Sequence, residues 1–248
     1  QLKILENCIS KGYKAIGVAP ISPTNLINGI VEANKKGIYV MNIDENMNLN
    51  VDNYHFTLAE GNVNGNIKYN LDNEKVGEKG ANYIMEQLKD GGEVAIIEGK
   101  AGNASGEYRK NGATTAFTAN SAFKLVASQP ADWDRQKALD TAASMIQKYP
   151  NLKAIYCCND TMALGALQAV KNANKLGKIM VVGTDGAAEA IDSVKAGELS
   201  ATVAQDSAGI GAVSLKTMVE TVKAGKAIDV NATPETIPVD SYIVTKDS

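Results

Sequence analysis

Imidazole is almost missing from this sequence: His55 is the single histidine in 248 residues. That scarcity removes most Ser-His, Cys-His and histidine-rich zinc mechanisms at once. Cysteine is scarce too. Cys8, Cys157 and Cys158 offer no zinc-type spacing, and sequence neighbours such as Cys157 and Cys158 hardly pair with each other, so no disulfide framework is expected. Positive charge is in deficit, with 25 basic against 28 acidic residues. A weakly acidic chain lacks the positive field that holds a phosphate backbone, so no nucleic acid is expected as a partner. No apolar run approaches the roughly 20 residues that cross a bilayer. The opening Gln1-Leu2-Lys3-Ile4 has none of the layout of a signal peptide, and any targeting segment is expected to be absent from this chain.

What is present reads as an ordinary globular protein, 44% hydrophobic and 21% charged, with room for one large domain or two smaller ones. Its organisation is an alternation. Short β-branched runs at 15–20, 38–44, 67–71, 93–99, 124–129, 154–159, 179–185 and 201–205 each end in Gly, Pro, Asn, Asp, Leu or Gln. The runs are near-continuously apolar, as strands buried on both faces of a parallel sheet are. Amphipathic stretches lie between them, for example 134–148, with Ala138, Ala142, Met145 and Ile146 at helical intervals. Asp134, Asp160 and Ser207 are expected as helix N-caps. Strand and helix in turn give βαβ units, hence an α/β protein with doubly wound parallel sheets. The polar segment 44–66, rich in Asn and Gly, reads as a loop and a domain boundary. Residues 1–11 read as an amphipathic helix, so the chain begins inside a unit that normally opens with a strand.

In such sheets ligands bind beyond the carboxyl ends of the strands. Asp44, Glu98, Lys100, Asn159, Asp160, Asp185 and Gln205 fall there, and each alone reads equally well as a turn or cap residue. Their repetition is what weighs. Short, fixed hydrogen-bonding groups at successive strand ends suit uncharged polyols, whose hydroxyls both donate and accept. A sugar also wants an aromatic face and a cationic fork. Trp133, the sole tryptophan, stands between a strand and a helix cap, where it reads either as a sugar-stacking face or as a plug of loop against helix. Arg109 reads either as the fork or as a solvated surface charge. Two other patterns are weaker. Residues 98–106 (EGKAGNASG) suggest a phosphate loop but match no established spacing. Asp44, Asn46, Asn48, Asn50 and Asp52 imitate a calcium loop, yet Leu49 occupies the glycine position and His55 the glutamate position.

Taken with their surroundings, these strand ends are recognisable. GGEVAIIEGKAGNASGEYRKNGATTAF (91–117), KLVASQPADWDRQKALD (124–140), KAIYCCNDTMALGALQAV (153–170), VVGTDG (181–186) and ATVAQ (201–205) resemble the periplasmic ribose-type (type 1) sugar-binding proteins. The likeness extends through KGYKAIGVAPIS (11–22) and KKGIYVMNIDE (35–45), and so over practically the whole chain. It implies two lobes joined by three crossings, near 71–72, 205–206 and 240–241. An N-terminal lobe of 1–71 plus 206–240 would be incomplete at its start. A C-terminal lobe would comprise 72–205 plus 241–248. Relatives carry about 50 further residues ahead of Gln1, opening with the strand a doubly wound domain begins on.

The same resemblance places the sugar contacts on Asp44, Arg109, Trp133, Asn159, Asp185 and Gln205. Arg109-Lys110-Asn111-Gly112 fits the family's Arg-x-x-Gly pattern. Glu45 after Asp44 matches the allose-binding branch, where ribose binders carry arginine, so D-allose is favoured and ribose is next. The implied protein is a periplasmic or extracellular solute-binding component of an ABC sugar importer, free or lipid-anchored. It would be monomeric, without metal, cofactor or enzymatic activity, and would meet a membrane permease, with a chemoreceptor as a further candidate partner. An effector-binding core of a lactose-repressor-type regulator shares the fold and is the alternative. An α/β enzyme built around Glu98 and Lys100 is a third reading.

Overall fold

The alternation becomes eight helices and ten strands among the described residues. The computed structural model describes residues 1–21, 24–43, 67–70, 73–228 and 235–248. Two units separate: Gln1–Leu71 with Asp206–Asp240, and Asp72–Gln205 with Ser241–Ser248.

The first unit holds helices α1 (Leu2–Ser10), α2 (Ile27–Lys35) and α8 (Ser207–Ala224) and strands β1 (Ala15–Val18), β2 (Tyr39–Asn42), β3 (Ile67–Asn70) and β9 (Glu235–Pro238). The strands lie in the order β1-β2-β3-β9, all parallel. The apolar run through β2 is explained by its two faces. Ile38 and Val40 join Leu5, Ile9 and Ile30 in one core, while Tyr39 and Met41 join Ile210 and Met218 in another. A strand with a period of two and a helix on either side has no face left for polar residues.

The second unit contains α3 (Asn73–Gln87), β4 (Gly92–Glu98), α4 (Ala104–Ala119), β5 (Phe123–Pro130), α5 (Arg135–Lys148), β6 (Leu152–Cys157), α6 (Asp160–Asn172), β7 (Met180–Asp185), α7 (Ala188–Lys195), β8 (Ala201–Gln205) and β10 (Ser241–Val244). Its sheet runs β10-β8-β7-β6-β4-β5. The chain starts at β4, steps outward to β5, then returns past β4 to β6, so the strand order reverses between β4 and β6. That reversal opens the crevice in which ligands of doubly wound sheets sit. Ile96, Ile97, Ile155, Tyr156 and Val182 are fully buried within the sheet. Helix α3 packs on α4, and α5 on α6.

Three details depart from the sequence-based expectations. Strands β9 and β10 were not expected, since their neighbourhood is short and broken by Pro234 and Pro238. Strand β10 runs antiparallel to β8, so this sheet is parallel apart from one edge. The caps of α6 and α8 sit one residue earlier than Asp160 and Ser207. Asn159 is extended and accepts from Met162 N at 2.9 Å, and Asp206 accepts from Gly209 N at 2.8 Å. A capping side chain must stand just outside the helix to reach the third helical N–H. Asp134 is the cap of α5, as expected, accepting from Lys137 N at 2.8 Å.

Two glycines set the spacing of α3 against α4. A Cβ at Gly77 would collide with the Arg109 carbonyl, and one at Gly112 with the Glu74 carbonyl. Gly211 in α8 has open space instead. We expect Gly77→Ala and Gly112→Ala each to destabilise by about 1–3 kcal/mol in urea titrations. Gly211→Ala should stabilise by about 0.5–1 kcal/mol, because only helix propensity changes there.

Candidate functional site

Arg109 stands on α4, three residues after Gly106, at 5% exposure. A buried guanidinium must find acceptors for donors that water would otherwise satisfy. Its Nε donates to Asn73 Oδ1 at 2.9 Å. One terminal nitrogen donates to the Cys158 carbonyl at 2.9 Å and to Asp185 Oδ1 at 3.0 Å. Gln205 Nε2 donates to the same Asp185 oxygen at 2.7 Å. Three elements therefore meet at one cation, the start of α3, the turn after β6 and the end of β7, and the end of β8 joins through Asp185. Arg109 is a buried network member, which corrects the reading of it as a solvated surface charge.

Of the expected sugar contacts, the structure thus brings Arg109, Asp185 and Gln205 into one hydrogen-bonded chain. Asn159 follows Cys158 directly, beside the strand reversal, with its Oδ1 committed to the cap of α6. Trp133 follows β5. Its six-membered ring lies so close to Gly99 and Gly106 that a Cβ at either would strike it. The tryptophan does plug its loop, onto the glycines at the start of α4, and it remains half-buried. Asp44 lies outside the described residues, as do His55 and the calcium-like run that begins at Asp44.

Backbone strain gathers here. Asp185 has φ 121°, and consecutive residues Asp132 and Trp133 have φ 54° and 65°. Left-handed conformations in non-glycine residues persist where their surroundings over-determine them, and they cluster at functional sites. Part of that support comes from Asp160. Its buried carboxylate accepts from Ala187 N and from Thr202 Oγ1, both at 2.7 Å, and Thr202 Oγ1 in turn accepts from Gly186 N at 3.2 Å. Asp160 therefore holds the turn that carries Asp185. Burial raises its pKa from 3.8 to about 6.

The phosphate-loop reading finds no support. Asn103 caps α4 by accepting from Gly106 N at 3.1 Å, and the Trp133 ring covers Gly106. Glu98 accepts a hydrogen bond from Ser128 Oγ at 2.6 Å, and Lys100 is exposed. Burial pushes the Cys158 thiol up to about 12 and the Cys157 thiol well above its ordinary value, so neither is a ready thiolate. Among the described residues no group of side chains is arranged to hold a metal ion, and no helix is long and apolar enough to cross a membrane.

Asn73 was missed by sequence reasoning. It follows a polar crossing rather than a strand end, and only its burial at 4% exposure marks it.

Comparison with known proteins identifies the family of the chain. The periplasmic binding protein domain family matches residues 1–227. The chain is 54% identical to the D-allose-binding periplasmic protein of Escherichia coli K12, covering 99% of this chain and 78% of that protein. It is 32% identical to the ribose import binding protein RbsB of Haemophilus influenzae, over 99% of this chain and 77% of that protein. A solved ABC transporter periplasmic solute binding protein from Actinobacillus succinogenes, with bound D-allose, superposes with a TM-score of 0.88 at 30% identity, covering 99% of this chain and 82% of that one. A solute binding protein from Bacillus halodurans, at 23% identity and a TM-score of 0.84 over 100% of this chain and 79% of that one, shares the fold.

The Asp160 carboxyl generates a prediction with a definite sign. Its pKa is raised in the folded state, so its contribution to stability is full below about pH 4 and is lost as pH rises through about 6. Between those values the stability of wild type relative to Asp160→Asn should fall with pH, by up to about 1.4 kcal/mol per unit. Urea midpoints measured from pH 4 to 7 give the slope, and a flat or rising difference contradicts the assignment.

Proposed function

This chain belongs to the periplasmic binding protein domain family, and from that membership we propose that it is the sugar-binding subunit of an ABC importer, with D-allose as preferred ligand and ribose next. The observation that carries the reading is the chain Gln205–Asp185–Arg109, which links two neighbouring strand ends to α4. A carboxylate and a guanidinium held together present acceptor and donor side by side, which is what a sugar hydroxyl pairs with. Trp133 adds an aromatic surface for the C–H groups of the ring. Asn159, Asp185, Gln205, Arg109 and Trp133 are accordingly the proposed contacts from the second unit, and Asp44 is proposed from the first. The 54% identity to a D-allose binder, against 32% to a ribose binder, supports the order of preference.

The proposed role is uptake without chemistry. Binding couples to hinge closure, because a ligand shifts an equilibrium toward the state it binds better. The protein acts as a monomer in the periplasm or outside the cell, free or anchored as a lipoprotein. It delivers sugar to a membrane permease, and a chemoreceptor is a further candidate partner.

Isothermal calorimetry with D-allose, D-ribose, D-glucose and D-galactose tests the ligand. D-Allose should bind tightest, and sugar recovered from the complex should be chemically unchanged. Absence of binding by all four, or turnover of any of them, overturns the proposal. Trp133→Ala should weaken D-allose binding about 10–100-fold, the loss of roughly 1–3 kcal/mol of stacking. Asp185→Ala should cost more than that, since Arg109 and the sugar hydroxyl would both lose a charged partner. Saturating D-allose should also reduce the radius of gyration seen by small-angle scattering.

A further inference from the structure

Among the described residues Arg109 donates to three acceptors, and they differ in kind. The Cys158 carbonyl is backbone, supplied by the turn after β6 whatever side chains surround it. Asp185 is itself a proposed sugar contact. The third is a side-chain amide, Asn73. A residue 4% exposed is ordinarily apolar, and an amide buried there costs free energy unless it is hydrogen-bonded. Its side-chain oxygen accepts from Arg109 Nε at 2.9 Å. Nε carries the guanidinium's only donor on the stem side. An acceptor there adds a fixed point beside the stem to those at the terminal nitrogen, so that the plane of the fork is held at both ends.

The placement of Asn73 is equally particular. It begins α3 and is the second residue of the segment Asp72–Gln205, whose last residue is Gln205. Both ends of that segment are therefore bonded to the Arg109–Asp185 pair, one to the cation and the other to the anion. The close approach at Gly77 and Gly112 brings α3 near enough to α4 for Asn73 to reach.

We propose that Asn73 is a positioning residue for sugar recognition, setting the orientation in which Arg109 and Asp185 meet one ligand hydroxyl together. The inference rests on the sugar-binding reading of this site. It concerns a residue that acts through Arg109 and not one that touches the sugar.

The test is a fluorescence titration with D-allose, read from Trp133, the sole tryptophan. Asn73→Leu fills the volume without an acceptor, Asn73→Ser leaves a gap that keeps the fold if leucine does not fit, and Asn73→Asp restores the acceptor. The leucine and serine variants should raise Kd about 10–100-fold, while Asn73→Asp stays within about threefold of wild type. In an Arg109→Lys background, which has no Nε–H, Asn73→Leu should add less than about twofold. A purely structural role predicts the opposite on both counts: aspartate as damaging as leucine, and effects that multiply in the double variant. Equal affinity of wild type and Asn73→Leu overturns the role of Asn73 alone. A wild-type protein that binds none of the sugars overturns the sugar reading beneath it.

Discussion

A buried guanidinium is the constraint on which the second unit turns. Arg109 cannot be left in the interior without acceptors on several sides, and no single element of the fold can supply them. The acceptors come from a helix start, a strand-end carbonyl and a strand-end carboxylate. Meeting them fixes the relative positions of α3, α4 and the ends of β6 and β7 to within a hydrogen-bond length. The binding function proposed for the site uses the same atoms. A cation already paired to Asp185 presents an oriented donor beside an oriented acceptor, and the desolvation of the guanidinium is settled on folding while the carboxylate keeps an open face.

The packing around this pair follows from its needs. Gly77 and Gly112 remove the side chains that would hold α3 and α4 apart. Gly99 and Gly106 do the same for the Trp133 ring at the start of α4. The strained backbone at Asp185 is held by the bonds of Asp160 to Ala187 and Thr202. Asp160 thus accepts the cost of a buried carboxylate to stabilise the turn that aims its neighbour. Strain at Asp132 and Trp133 has a counterpart in the bond from Ala131 N to the Glu98 carbonyl at 3.0 Å, which fastens the loop to β4 immediately before it. Rigid placement of a few polar groups at the mouth of a sheet is what discrimination among similar sugars requires. The reason is that a misplaced partner leaves a hydroxyl buried and unpaired.

Much of this was legible in the sequence, and the division has a physical basis. Strands buried on both faces must be apolar throughout, so β4, β6 and β7 announce themselves by composition. The residue that ends such a strand emerges at the crevice, so Asn159, Asp185 and Gln205 could be placed there by counting. The antiparallel edge β10 gave no such signal, because an edge strand of four residues is too short to carry much pattern. Asp160 was mistaken for a cap because polar residues at helix starts look alike in sequence. Only the backbone angles show that Asn159 stands outside the helix while the carboxylate beside it turns inward.

Local patterns, with a period near two or near 3.6 residues, determined the α/β class, the element order and the strand ends, since each depends on interactions close in the chain. Tertiary structure alone decided that Arg109 is buried, that Asn73 is its partner and that Gln205 shares Asp185 with it. Those contacts join residues 36, 76 and 20 positions apart. Such pairings come from the order of strands in the sheet and from how closely two helices approach, quantities that no local stretch of sequence encodes.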